Sequence, residues 1–367
     1  MIIVMKADVL PESAETAQVV KMAERFPDVH AEVRKIQGAT RVLTEVYLLG
    51  STGNVPVDIF EEFPAVEKAI RIRERYRSIG RHEGQAVAVG FEYNGIAFTQ
   101  DNLHVFAGLC AVDTPQNVEA MFKAMQAVGL QTARAGAYKP RTSPYDFQGR
   151  GKECLPYVFD LAGKYGIKVV TMEVTSEQQV EEVFHALDQT GRPTGVMLQI
   201  GTRNAQNFEL LKVAGQQHEL PVLFKRGMGI TLDESLNACE YLAASGNHKI
   251  IFCLRGVKSQ LGDPHRNLVD FGLVPVVKRL TRLPVCIDPS HSVGKKAMAP
   301  DGLLDIEHVT AQGVIAGANM ILVDFHPKPE EALCDGPQAL LLSELEPFLR
   351  DVEIVREAYE KRRAARA

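Results

Sequence analysis

Tryptophan is missing from these 367 residues, and no apolar run approaches the roughly 20 residues that cross a bilayer as a helix. A membrane-spanning protein is therefore not expected. Positive charge is not in excess either: 41 lysines and arginines face 46 aspartates and glutamates, a formal net charge of -5. That balance argues against a general nucleic-acid binder, so any basic site must be local. Cysteine is sparse. The six thiols, Cys110, Cys154, Cys239, Cys253, Cys286 and Cys334, form no C-x-x-C pair, and three lie inside apolar runs. This is the pattern of reduced, mostly buried residues rather than disulfides. The first residues, Met1 to Lys6, carry no basic leader, and a cytoplasmic protein is the expectation. What is present is ordinary for a globular chain, 46% hydrophobic and 24% charged, and long enough for one large domain with a small companion.

Hydrophobic periodicity over the first 75 or so residues predicts strand 2–8, helix 13–26, strand 30–36, strand 44–49, helix 57–63 and strand 69–73. The order βαββαβ is that of a ferredoxin-like sandwich, assigned to residues 1–76. Residues 77–100 read as a connector and a β-hairpin, because Asn94-Gly95 sits between two apolar runs over 86–98 and both centres of a type I′ turn need positive φ. The hairpin is expected to act as a lid or plug on the domain C-terminal to it. From 101 to 367 short apolar strands recur at 103–109, 132–137, 168–171, 195–200, 222–225, 249–254, 285–288 and 320–325. Amphipathic segments such as 118–128, 180–187, 232–244 and 267–280 separate them. Near-continuous apolar strands alternating with helices describe a (β/α)8 TIM barrel. The last stretch, 338–367, reads as a final helix and a solvated basic tail.

In such a barrel the C-terminal ends of all strands open on one mouth. Two sets of residues fall there. Arg134, Lys139, Arg141, Arg203, Lys225 and Arg255 are cations from four different strands, and a net-acidic chain has reason to gather them only around an anion. Thr142 adds a neutral donor beside Arg141. The second set, Cys110, His291, Asp324 and Asp335, mixes soft, borderline and hard donors, which suits a divalent transition metal such as Mn, Fe, Co or Zn.

Six motifs carry a family resemblance: Lys139-Pro140-Arg141-Thr142-Ser143-Pro144, Ile200-Gly201-Thr202-Arg203-Asn204-Ala205-Gln206-Asn207-Phe208, Phe224-Lys225-Arg226-Gly227, Leu254-Arg255-Gly256, Asp288-Pro289-Ser290-His291-Ser292, and the run from His326 to Gly336. In this order, over nearly the whole chain, they resemble 3-deoxy-D-arabino-heptulosonate 7-phosphate (DAHP) synthase in the form with an N-terminal ferredoxin-like regulatory domain. The resemblance implies condensation of phosphoenolpyruvate with erythrose 4-phosphate at the head of the shikimate pathway. It assigns Arg134, Lys139, Arg203, Lys225 and Arg255 to phosphoenolpyruvate, Arg141 and Thr142 to the aldose phosphate, and Cys110, His291, Asp324 and Asp335 to the metal. Lys139, Cys110 and His291 become the candidate catalytic residues. It further implies an aromatic amino acid effector at the N-terminal domain and a homotetramer. Arg141-Thr142 favours the four-carbon aldose over the substrate of the related octulosonate phosphate synthases, which carry an asparagine-centred sequence there.

Three positions depart from the family pattern. Leu109 replaces the proline before Cys110, which predicts a looser turn; Met172 stands where a carboxylate follows Thr171, and Glu173 on the opposite strand face is not expected to replace it without a bulge; and Asp324 is one methylene shorter than the family's glutamate. These leave a second reading open, a non-catalytic or regulatory paralogue that keeps anion binding with a damaged metal centre.

Overall fold

A computed structural model describes residues 1–37, 42–71, 76–82 and 90–366. The N-terminal elements are β1 (Ile2–Met5), a helix at Ala14–Ala23, β2 (Val29–Gln37), β3 (Val42–Gly50), a one-turn helix at Asp58–Glu61 and β4 (Val66–Ile70). They form a four-stranded antiparallel sheet in the order β2-β3-β1-β4, the arrangement of a ferredoxin-like unit. Its apolar face has a core of its own, including Ile3, Val19, Val46, Phe60 and Ala69. The second helix is shorter than the periodicity predicts, and the last strand begins earlier. Pro64 cannot continue a helix, so the chain turns after Phe63 and pairing begins at Val66. Residues 72–75, which include the end of the predicted strand, lie outside the described residues, as do 83–89 of the predicted connector and hairpin.

The hairpin is β5 (Phe91–Tyr93) and β6 (Ile96–Phe98), turned at Asn94 (φ 47) and Gly95 (φ 75). Eight parallel strands follow: β7 (His104–Leu109), β8 (Thr132–Ala135), β9 (Val169–Val174), β10 (Gly195–Ile200), β11 (Val222–Lys225), β12 (Ile250–Leu254), β13 (Val285–Ile287) and β14 (Met320–His326). Each pairs with the next, and β14 pairs with both β13 and β7, closing the cylinder. The fold is a (β/α)8 barrel. Thr114, Ser176, Asn207 and Thr231 each accept a backbone N–H at the start of a barrel helix, which explains why those helices begin there. Among the described residues no helix is long and apolar enough to cross a membrane.

Apolar side chains fill two layers. One lies between strands and helices; the other, inside the cylinder, includes Phe106, Met197, Leu223, Ile251 and Leu322. The hairpin seals the second. Phe98, 1% exposed, stands with its ring 6.1 Å from that of Phe106, and the Tyr93 hydroxyl accepts the Val196 N–H at 3.0 Å. The hairpin is therefore a plug at the N-terminal end of the strands, opposite the mouth. Phe98→Ala should cost about 3–5 kcal/mol of stability. Urea unfolding measures this; a loss below about 1 kcal/mol would mean that the plug is not part of the core.

Two expected helices differ. The segment 267–280 is α-helical only over Val274–Leu280, after a 3-10 turn at Phe271–Leu273, because Asn267 and Asp270 are used elsewhere: Asn267 donates to the His291 carbonyl at 2.7 Å and Asp270 accepts from the Gly256 N–H at 2.8 Å. The basic tail is exposed as expected, but it continues the helix. The last helix runs Leu345–Ala364, with Arg362 donating to the Ile315 carbonyl and Arg363 paired with Asp101.

Candidate active site

Cys110 directly follows β7, where Gly108 (φ 146) lets the backbone pass close to β8: a Cβ there would stand 2.2 Å from the Arg134 carbonyl oxygen. His291 lies on the short helix Pro289–Val293 after β13, and Asp335 in the loop after β14. These three come from distant parts of the chain and meet. Cys110 Sγ is 3.6 Å from His291 Nε2 and 3.2 Å from Asp335 Oδ2, and those last two atoms are 3.7 Å apart. Bonds of about 2.0–2.3 Å to a tetrahedral ion place donor atoms roughly 3.3–3.7 Å apart, so the triangle has the dimensions of a metal site. The donor set fits a divalent transition metal.

Asp288 orients the imidazole. Fully buried, it accepts the His291 backbone N–H at 3.1 Å and receives Nδ1 at 3.0 Å, turning Nε2 toward the sulfur. Lys225 pairs with the same carboxylate. Burial works against charge on His291, but Asp288 overcomes it and raises the imidazole to about 10. Burial also works against ionised Asp288, yet His291 and Lys225 hold it well below the usual carboxylate range. The neighbouring Cys334 thiol, together with burial, pushes Cys110 up.

Asp324 takes a different position. It is fully buried, paired with Arg134 and accepting from Gln338 Nε2, and its nearest imidazole nitrogen is Nδ1 at 3.9 Å. Its donor atoms do lie within 4.8 Å of Cys110 and His291. Arg134 pairs with its carboxylate and offsets the buried charge. Arg134 is correspondingly turned to Asp324.

Above the triangle opens a cavity of about 340 Å³, lined by Lys139, Arg141, Thr142, Arg203, Lys225 and Arg255 among others. Arg255 is 3% exposed, and its Nε and Nη1 have no hydrogen-bond partner. A buried guanidinium with free N–H groups at a cavity wall calls for an anion. Lys139 Nζ donates to the Cys110 carbonyl at 3.0 Å and lies 3.2 Å from its sulfur. Burial opposes its charge, but Cys110 and Glu173 outweigh burial and keep it an ammonium. Thr142 and Arg203 are exposed at the rim and meet at 3.3 Å. Arg141 spends one nitrogen on Cys334 Sγ at 2.7 Å and another on Asp146 at 3.3 Å.

The other two departures resolve differently from their sequence reading. Leu109 is held by pairing with Ala135 in β8, and the turn after it by Val112 N–H to Gly136 O at 2.8 Å, so the backbone needs no proline ring. Strand β9 extends to Val174, in unbroken register with β10. Its parity sends Met172 outward into the helix layer, where its sulfur accepts the Ala137 N–H, and Glu173 inward to the cavity. No bulge is required. Glu173 Oε2 stands 3.8 Å from Lys139 Nζ and accepts from Gln199 at 3.2 Å. Gly201 makes room for it, since a Cβ there would lie 1.9 Å from Glu173 Oε1.

Residue types alone did not single out Asp288 as the orienting carboxylate, nor Cys334, Lys258 and Arg266, which also reach the site or its rim. His326, one of the surplus polar residues after β14, turns away to Asp113 at 2.8 Å.

The profile of the DAHP synthetase I family matches residues 83–361. A phospho-2-dehydro-3-deoxyheptonate aldolase of Thermotoga maritima is 35% identical over 340 residues, 93% of each chain. The crystal structure of a Thermotoga maritima protein of that name matches 97% of both chains with a TM-score of 0.69 at 31% identity. A 2-dehydro-3-deoxyphosphooctonate aldolase of Citrifermentans bemidjiense is 28% identical over 265 residues, 69% of this chain and 92% of its own. With the profile covering most of the chain and the Thermotoga relative nearly all of it, this protein belongs to the DAHP synthetase I family.

Proposed function

We propose that the chain condenses phosphoenolpyruvate with erythrose 4-phosphate, giving 3-deoxy-D-arabino-heptulosonate 7-phosphate and inorganic phosphate, with a divalent metal held by Cys110, His291 and Asp335. The observation that carries this reading is the triangle of sulfur, nitrogen and oxygen at 3.2–3.7 Å beneath a cavity ringed by cations. A bound metal supplies a Lewis acid for the aldehyde oxygen. The protein's own groups do the rest. Arg255, Lys225 and Arg203 draw two mutually repelling phosphorylated substrates together, and Thr142 with Arg141 receives the aldose phosphate at the rim. The alkene carbon of phosphoenolpyruvate attacks the aldehyde, and Lys139, an ammonium facing the cavity, gives its proton to the developing alkoxide. Water adds at the former C2. Glu173, beside Lys139, is placed to take a proton from it, after which the C–O bond to phosphate breaks and the ketone forms.

The same reading extends to Mn, Fe, Co or Zn as the metal, to a cytoplasmic homotetramer without nucleic-acid partners, and to a regulatory unit over residues 1–76 with an aromatic amino acid as effector. The retained donors and the inward Glu173 favour catalysis over a non-catalytic paralogue. Phosphate release from phosphoenolpyruvate and erythrose 4-phosphate, after metal stripping and add-back of Mn, Co, Fe or Zn, tests the proposal. Turnover is expected to vanish on stripping and return with metal; silence with every metal would overturn it.

A further inference from the structure

We infer that Cys334 is a second thiolate ligand, so that the metal centre of this chain is Cys110, Cys334, His291 and Asp335, with Asp324 excluded from it. The inference rests on the reading of a metal at this site.

The geometry has three parts. First, Cys110, Cys334 and Asp335 form a second group whose donor atoms all lie within 4.8 Å of one another, and Cys334 Sγ is 3.2 Å from Asp335 Oδ2. Cys334 is 7% exposed, so its sulfur is committed to this corner and not to solvent. Second, the backbone accounts for two successive side chains reaching one point. Asp335 has φ 55, a left-handed conformation that a residue with a side chain adopts at a cost, and the local reversal brings its carboxylate to the side where Cys334 already lies. Third, the surroundings suit sulfur. Lys139 stands at Cys110 Sγ and Arg141 at Cys334 Sγ, so each thiolate has a cation beside it, and Phe147 packs against the cluster that Cys110 and Cys334 form with Ala111.

Asp324 lies within the same distance of Cys110 and His291 but is turned to other partners. Its closest approach to the imidazole is at Nδ1, the nitrogen engaged with Asp288, while the triangle faces Nε2. Arg134 and Gln338 already hold its oxygens. Exchanging a hard carboxylate for a soft thiolate moves the site's preference toward Zn, Co and Fe and away from Mn. The shortened side chain at 324 and the thiol at 334 are thus two halves of one change.

Cobalt titration of the metal-stripped full chain, without substrates, tests this through the near-ultraviolet sulfur-to-cobalt band. Cys334→Ser is expected to reduce the band per bound cobalt by about half, and Asp324→Asn to leave it unchanged. In equimolar competition wild type should take zinc over manganese by at least about 100-fold, and Cys334→Ser should narrow that ratio about tenfold or more. A full-strength band in Cys334→Ser, or cobalt lost in Asp324→Asn but retained in Cys334→Ser, would overturn the inference while leaving a metal-dependent condensation intact. Should Cys334→Ser not fold, the wild-type band decides, since one thiolate and two differ about twofold in intensity. Failure of wild type to bind cobalt at all would remove the metal and the inference together; cobalt bound with an undiminished two-thiolate band but no turnover would remove only the reaction.

Discussion

Cys110→Ser is expected to lose metal and lower turnover more than about 100-fold, a larger effect than the 10–100-fold typical of disturbing a ligand's supporting partners. Serine keeps the size of the side chain but replaces a soft donor with a hard, weakly acidic one. Cys110 contacts both His291 and Asp335, and it also anchors Lys139, so the substitution strikes the metal and the proton donor at once. The barrel should survive, because Cys110 lies beyond the end of β7 and outside the main apolar layers. Metal analysis alongside thermal unfolding separates the two effects. Full occupancy in the folded variant would take Cys110 out of the ligand set.

The second large effect concerns the buried pair beneath the cations. Lys225→Met keeps the volume of the side chain and removes its charge, leaving Asp288 with no exposure and only His291 as a partner. Breaking a buried pair from one side costs about 3–5 kcal/mol, and here affinity for phosphoenolpyruvate should fall as well. Adding Asp288→Asn to Lys225→Met should recover much of the stability, since no lone carboxylate then remains in the interior, but none of the activity, since the imidazole has lost its orienting charge. Urea midpoints and steady-state kinetics on the three variants check this. An unchanged midpoint for Lys225→Met would show that Asp288 is satisfied without it.

The barrel was legible because its strands are apolar on both faces and recur at even intervals, and the six motifs fall at their ends. Polar residues that interrupt such a run are visible without coordinates, which is why Arg134, Lys225, Arg255 and His291 could be named. Strand length was less visible. Periodicity stops β9 at Thr171, since Glu173 is not apolar, whereas pairing with β10 carries the strand to Val174 and reverses the roles expected of Met172 and Glu173. Asp288 reads as a turn residue because its partners, Lys225 and His291, come from a strand end and a short helix, and one of them lies 63 positions away. The neighbours of Asp324 were hidden for the same reason. A one-carbon difference changes which neighbour a carboxylate meets, and that depends on Arg134, nearly 200 positions earlier in the chain.

The plug at the foot of the cylinder has a consequence for traffic. With Phe98 and Phe106 packed together at that end, substrates and products would enter and leave through the cavity at the mouth, with the thiol and imidazole beneath it. Whatever settles there first is the last to leave, so an occupied vestibule should also lock in the ion below it.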